Sequence, residues 1–455
     1  MKPFDEIIIS TKLLDAFFHS HSPFDIVLYK FFRANRWLGS KDRRKIAELC
    51  YSVFRKLEIL KLYTEGVSTN FGKYFLMVFL KIESKMSDQK IIDIFYQQNK
   101  DLWKFTDFDA RFLNRLNTPL ELSQHVRLNY PIWLDPYFKR VFPPEDFEKE
   151  MAALNEEAKV DLRVNSLKST RSEVEKMLLK SEFLVEHTKF SPLGLRVLNG
   201  RVGRHDPVLR SGFAEVQDEG SQLVARVCNP APTDMVVDLC AGAGGKTLAL
   251  AASMNNRGRI IALDTNVIRL QKAKIRLRRA GTSNVICQEL TNKWLKRHGE
   301  CADVVLVDAP CSGTGTWRRN PDMRSRINEV GLEELRQLQQ KILGIAQQVV
   351  RGGGRLIYAT CSVLMEENED QIAAFLKNFP VFRLDNIHLD DLGIISSGDG
   401  YLRLSPAKHG TDGFFAAVLR KTCSAPNYRP VCEDQPPPII PEINDPEDID
   451  HGEII

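Results

Sequence analysis

From about residue 207 to 421, short β-branched apolar runs alternate with longer segments of helical periodicity, and few folds accept that pattern. MVVDLC precedes KTLALAASM, and RIIALD precedes NVIRLQKAKIRLRRAG. NVICQEL and ADVVLVDAP follow, then the long segment LEELRQLQQKILGIAQQVV before GGRLIYATC, with DGFFAAVLRK as a terminal strand. The alternation predicts an α/β fold with a doubly wound, mostly parallel sheet. Such sheets bind ligands at the carboxyl ends of their strands. Two cysteines are predicted there, Cys311 in ADVVLVDAPCSGTG and Cys361 in GGGRLIYATCSVLMEENE. A lone cysteine at a strand end is commonly a small core residue. A pair framed by Pro, Ser and Gly turn residues points instead to covalent catalysis, because a deprotonated thiol is a strong nucleophile.

The loop after MVVDLC narrows the ligand. In VVDLCAGAGGKT a phosphate-binding P-loop would need glycine where Cys240 stands, and a dinucleotide fingerprint would need a small residue at Thr247. A third pattern fits: an acid, Asp238, on the strand, then a short loop containing Gly242, Gly244 and Gly245. It is the usual arrangement for S-adenosyl-L-methionine, with the acid facing the amino-acid end and backbone N–H groups at the helix start facing its carboxylate. Asp264, ending RIIALD, is placed to accept both ribose hydroxyls.

The other regions differ in texture. Residues 1–130 read as an all-α domain, with apolar residues at i, i+3, i+4 and i+7 in KLLDAFFHS, DIVLYKFFRANRWL and KDRRKIAELCYSVFRKLEILKLYTEG. Ser40 is the expected N-cap of the third segment, and Gly66 its end. Residues 131–206 read as a small α+β RNA-binding or linker unit, 207–421 as the α/β domain, and 422–455 as a disordered, acidic, proline-rich tail. That tail carries eight acids from Pro430 onward and neither Lys nor Arg; removing them from a formal net charge of +4 leaves an excess of twelve positive charges on the body. A polyanionic partner is favoured. The nine cysteines form no C-x-x-C pair, so free thiols, no metal and a reducing cytoplasmic compartment are expected. His19 and His21 read as a turn before Pro23. No run approaches the ~20 apolar residues of a membrane span, and the acid-bearing N-terminus lacks a signal-peptide cleavage site.

DLCAGAGGKT, VDAPCSGTGTWRRNPD, YATCS with ENE downstream, QDEGSQL near residue 217 and HGTDGFF together resemble the Sun/Fmu (RsmB-like, RsmB/Nop) family of RNA cytosine-5 methyltransferases, over about residues 160–421. LGSKDRRKIAELCYSVFRKL looks like that family's RNA-binding helical domain, which is similar to the NusB antiterminator. The resemblance implies a Rossmann-like class I methyltransferase domain, a monomer, and ribosomal RNA as partner. It implies Cys361 as the nucleophile that adds to carbon 6 of cytosine, Cys311 as the group assisting release, and Asp308 facing the ring. It also implies cofactor contacts from Cys240, Ala241, Gly242, Ala243, Gly244, Gly245, Lys246, Asp264, Asp308 and residue 289, where the family usually has Asp and this chain has Glu289. Where the family usually has an aromatic between Arg324 and Arg326, this chain has Ser325.

Two basic stretches read differently. Lys272, Lys274, Arg276, Arg278 and Arg279 lie on one helix and read as its solvated face. Trp317, Arg318 and Arg319 adjoin the Cys311 loop and are expected to stack on bases and hold phosphates, with Lys168 as a further RNA contact. Competing readings are a DNA cytosine methyltransferase, which would need only the Pro-Cys cysteine, a transfer-RNA enzyme, and a non-catalytic ribosome-assembly factor.

Overall fold

Apolar residues three and four positions apart make the N-terminal segments helical and direct them into one aromatic core. The computed structural model describes residues 5–20, 22–99, 102–394 and 398–422. The chain divides into two compact units: the first extends to Pro136 and takes in Asn320–Arg326, and the second comprises Tyr137–Arg319 and the described residues from Ile327 onward. The tail expected at 422–455 lies outside the described residues, apart from Thr422.

In the first unit, helices Asp5–Phe18, Phe24–Ala34, Ser40–Phe54, Leu57–Tyr63 and Phe71–Ile82 surround Phe17, Phe24 and Phe54. These rings meet edge to face, with centroids 4.9–5.6 Å apart. Two local expectations fail. Ser40 is the first helical residue rather than the cap, which is Gly39 with no side-chain bond. The third helical segment is also broken after Phe54. The Asn129 side chain enters the break, donating to the Phe54 carbonyl at 3.2 Å and accepting from Glu58 N–H at 3.0 Å. No pattern within the segment could show a partner so distant in sequence. The 3₁₀ turn Pro321–Ser325 packs on helix Ser40–Phe54, and Phe24 N–H donates to Asp322 at 3.2 Å.

The second unit contains two sheets. Strands β1 (Val160–Val164), β2 (Val185–His187), β3 (Gly194–Val197) and β4 (Ala214–Val216) form an antiparallel sheet of order β2-β3-β1-β4. The larger sheet contains β5 (Met235–Asp238), β6 (Arg259–Asp264), β7 (Val285–Glu289), β8 (Ala302–Asp308), β9 (Val350–Thr360), β10 (Phe382–Asp385), β11 (Tyr401–Leu404) and β12 (Phe414–Lys421). Its order is β10-β12-β9-β8-β5-β6-β7, with β11 also paired to β12. The five strands from β5 to β9 run parallel, β12 is antiparallel to β9, and β10 and β11 each pair antiparallel with β12. This is a Rossmann-like α/β architecture, with apolar clusters on both sheet faces, one against helix Glu329–Val349 and one against Glu219–Cys228 and Gly245–Ser253.

Asp25, at the start of helix Phe24–Ala34, is pushed up to about 6 by burial and by the neighbouring Asp322. A carboxyl whose folded pKa lies above its unfolded value favours folding at low pH, and that contribution is lost as pH rises through about 6. Asp25→Asn should therefore stabilise the protein at pH 7.5 by about 1–3 kcal/mol. The gain should vanish below about pH 4, as urea unfolding at both pH values would show.

Candidate active site

Strand order reverses at β5, which has β6 on one side and β8 on the other. The ligand crevice of such a sheet opens at the carboxyl ends of these central strands. Asp238 ends β5, Asp308 ends β8 and Thr360 ends β9, so Cys311 and Cys361 emerge on the same edge.

The loop from Leu239 to Lys246 is held from several sides. Ala241 N–H donates to the Leu263 carbonyl at 2.9 Å. Arg276 donates to the Ala243 carbonyl at 3.0 Å, and buried Arg163 to the Gly245 carbonyl at 2.9 Å. Gly244 adopts φ +85° before helix Gly245–Ser253, a conformation that a side chain would strain. Asp264 is fully buried: its oxygens accept from Gly242 N–H at 2.9 Å and Asn266 N–H at 2.7 Å. In this conformation it holds the loop and is inaccessible to a ribose. Glu289 is exposed at the end of β7. Lys246 Nζ lies 2.8 Å from Asp308, whose carboxylate is partly exposed. The Cys240 thiol packs against the sheet core and is pushed well up by burial.

Cys311 and Cys361 meet, with their sulfurs 3.4 Å apart. Cys311 is buried and Cys361 partly exposed. Burial pushes up the thiols of the other five described cysteines, Cys50, Cys228, Cys240, Cys287 and Cys301, disfavouring their thiolates. A buried polar network ties the two cysteine turns together. Ser362 Oγ lies 3.2 Å from Ser312 Oγ and 3.0 Å from Thr314 Oγ1, and Gly315 N–H donates to the Cys361 carbonyl at 3.0 Å. A Cβ on Gly315 would collide with the main chain of Gly413 and Cys361, so glycine is required there. Glu367 accepts from Ser312 N–H at 2.8 Å and Ser312 Oγ at 2.5 Å.

The expected RNA contacts beside Cys311 are corrected by their surroundings. Trp317 is fully buried with its ring edge to face against Phe138, so it is a core side chain and offers no stacking surface. Arg319 bridges Asp218 at 2.7 Å and Asp412 at 2.5 Å, and Arg318 donates to the Thr411 carbonyl at 2.9 Å. Lys168 is exposed, but its ammonium donates to the carbonyls of Ser211 at 2.9 Å and Arg279 at 2.6 Å, near a helix C-terminus. On the basic helix, Arg276 and Arg279 pair with Glu215, while Lys272, Lys274 and Arg278 are exposed. Sequence reasoning gave no role to Arg163, Glu367 or Asn368; the only local signal was the acid–amide–acid run after Cys361.

Among the described residues no cluster of three metal-ligating side chains occurs, and no helix is long and apolar enough to cross a membrane.

Comparison with known proteins agrees with this fold. A family model described as 16S rRNA methyltransferase RsmB/F matches residues 225–420, and one described as an RsmF/B-like ferredoxin-like domain matches residues 130–202. A probable ribosomal RNA small subunit methyltransferase B from Synechocystis sp. is 35% identical over 307 residues, 66% of this chain and 69% of that protein. Ribosomal RNA small subunit methyltransferase B from Shewanella oneidensis is 30% identical over 399 residues, 84% of this chain and 92% of its own length. The crystal structure of PH0851 superposes with a TM-score of 0.77 at 27% identity, covering 92% of this chain and 99% of that one.

One buried atom tests the fit of a cofactor. Asp238 Oδ2 accepts from Thr247 Oγ1 at 2.6 Å, while Oδ1 is buried without a partner among the described residues. Burial, only partly offset by the Thr247 bond, pushes Asp238 up to about 7. The ammonium group of S-adenosylmethionine would supply both the missing partner and a charge that favours the carboxylate. Affinity should therefore fall on the order of tenfold from pH 7.5 to 5.5 as Asp238 takes up a proton. Asp238→Asn should bind weakly and without that pH dependence, which calorimetric titration would measure.

Proposed function

The chain belongs to the 16S rRNA methyltransferase RsmB/F family, and from that premise we propose that it methylates carbon 5 of a cytosine in small-subunit ribosomal RNA through a covalent cysteine adduct. S-adenosylmethionine, the methyl donor, supplies an electrophilic methyl group when bound. Asp238 and the 240–246 backbone would hold its amino-acid end. The observation that carries the reading is the contact of two sulfurs at the switch-point crevice.

Carbon 5 of cytosine is a weak nucleophile. Addition of the Cys361 thiolate to carbon 6 breaks the aromatic system and moves the π electrons toward carbon 5, which can then take the methyl group. Asp308, paired with Lys246, would meet the ring nitrogen or amino group and stabilise the charge that develops there. Closing the cycle requires loss of the carbon-5 proton, return of that electron pair to the ring, and departure of the Cys361 sulfur. The release role goes to Cys311, and the contact of its sulfur with that of Cys361 supports it. The target base must leave its stack to reach both partners.

RNA capture is assigned to the first unit. In the turn between helices Phe24–Ala34 and Ser40–Phe54, Trp37 is 66% exposed, and its indole N–H is tied to Asn35 at 3.2 Å. Leu38 beside it is buried and anchors the turn. Lys30, Arg33, Arg36, Lys41 and Lys45 are exposed around it, with no ion pair among the described residues. An exposed aromatic among uncompensated cations suits unpaired bases and their phosphates.

Cys361→Ala should abolish both methylation and adduct formation. Cys311→Ala should accumulate an RNA–protein adduct that survives denaturing electrophoresis; normal turnover without a trapped species would refute the assigned roles. Trp37→Ala should weaken RNA binding about tenfold, and combining Arg33→Ala with Arg36→Ala should flatten its salt dependence. Fluorescence titration over a salt series would measure both effects.

A further inference from the structure

We propose that Glu367 is the positioning residue that holds Cys311 against Cys361, so that the covalent cycle can close. This rests on the covalent reading above. Glu367 is fully buried, and its carboxylate takes three donors. Two come from Ser312, the residue after Cys311, and the third is Gln339 Nε2 at 3.1 Å, which also donates to the Pro310 carbonyl at 2.9 Å. The acid thus grips the Cys311 turn directly at Ser312 and, through Gln339, at Pro310 on the other side of the sulfur-bearing residue.

The next residue grips the other turn. Asn368 donates to the Ser362 carbonyl at 2.9 Å and accepts from Thr360 Oγ1 at 2.6 Å, so it holds both neighbours of Cys361. The Glu367 carbonyl is fixed by the Tyr358 hydroxyl at 2.7 Å. Two consecutive side chains on an anchored backbone therefore set the separation of the sulfurs. A buried acid is a costly way to fill space, and burial does push this carboxyl above its ordinary range. It repays that cost by accepting from main chain and hydroxyl together, which no apolar side chain can do. Removing it would leave the Ser312 N–H without its acceptor and the hydroxyl with only the longer bonds to Ser362 and Thr314, freeing the Cys311 turn to move.

Phenylarsine oxide tests the spacing without RNA or cofactor, because its arsenic forms bonds to two nearby thiols and its oxygen leaves as water with their protons. Cys311–Cys361 bridging, located by peptide mapping, should slow at least tenfold in Glu367→Ala and in the milder Ser312→Ala. Glu367→Gln, whose amide can accept from Ser312 N–H and donate to its hydroxyl, should stay within about threefold of the parent. With RNA and methyl donor, Glu367→Ala and Ser312→Ala should accumulate adduct as Cys311→Ala does, while Glu367→Gln turns over. Unchanged bridging in Ser312→Ala and Glu367→Ala overturns the proposal, as does a loss of turnover without adduct. If Glu367→Ala does not fold, the other two variants decide. If Cys311→Ala forms no adduct while bridging in the Glu367 and Ser312 variants follows the expected order, the covalent reading fails and the positioning role stands.

Discussion

The guanidinium of Arg319 fixes the geometry on which the second unit depends. It joins Asp218, just before helix Glu219–Cys228, to Asp412, just before β12, and donates to the Lys159 carbonyl at 3.1 Å at the entry to β1. The Asp412 N–H closes the ring by donating to Asp218 at 3.2 Å. Burial opposes charge on both Asp412 and Arg319. It pushes Asp412 up to about 6 in spite of Arg319, while the two carboxylates outweigh burial at Arg319 itself and hold the guanidinium charged. Buried clusters of this kind contribute little net stability but are very sensitive to loss of one partner, roughly 3–5 kcal/mol. Their value here is registry, because four segments far apart in sequence can meet in only one arrangement.

That registry reaches the thiols. The turn from Cys311 to Arg319 is held at its end by the carboxylates and at its start by Glu367. Between them, the Gly315 main chain bonds both Cys361 and Gly413. The sulfur contact is therefore the outcome of three restraints on one short turn: the Glu367 carboxylate, the main chain of Cys361 and Gly413, and the Asp218–Asp412 pair. The unequal burial of the two sulfurs follows: Cys361 directly follows β9 at the crevice, while Cys311 lies under the network.

Much of this was legible in the sequence because it depends on local pattern. Alternating apolar runs and helical periods are properties of ten to twenty consecutive residues, and they place the parallel strands and the loops at their ends. The glycine-rich turn after Asp238 and the two framed cysteines are equally local. What escaped was long-range pairing. Asn129 breaks a helix about seventy residues earlier, Arg163 supports the glycine-rich loop from another sheet, and Glu367 reaches Ser312 across an intervening helix and strand. The short strands β10 and β11 also went unread, since four residues carry too little period to register.

The arginines show why residue type alone misleads. A guanidinium fork that fits phosphate fits carboxylate equally well. Trp-Arg-Arg beside the Cys311 turn reads as an RNA clamp until Asp218 and Asp412 are found in its reach. The same chemistry reads the other way at Trp37, where the surrounding cations have no carboxylate partner among the described residues and the ring stays in solvent. Whether a basic aromatic cluster binds nucleic acid is decided by the acids the fold brings to it. In this chain the fold neutralises Arg319 beside the thiols and leaves Arg33 and Arg36 of the helical unit without an ion pair among the described residues.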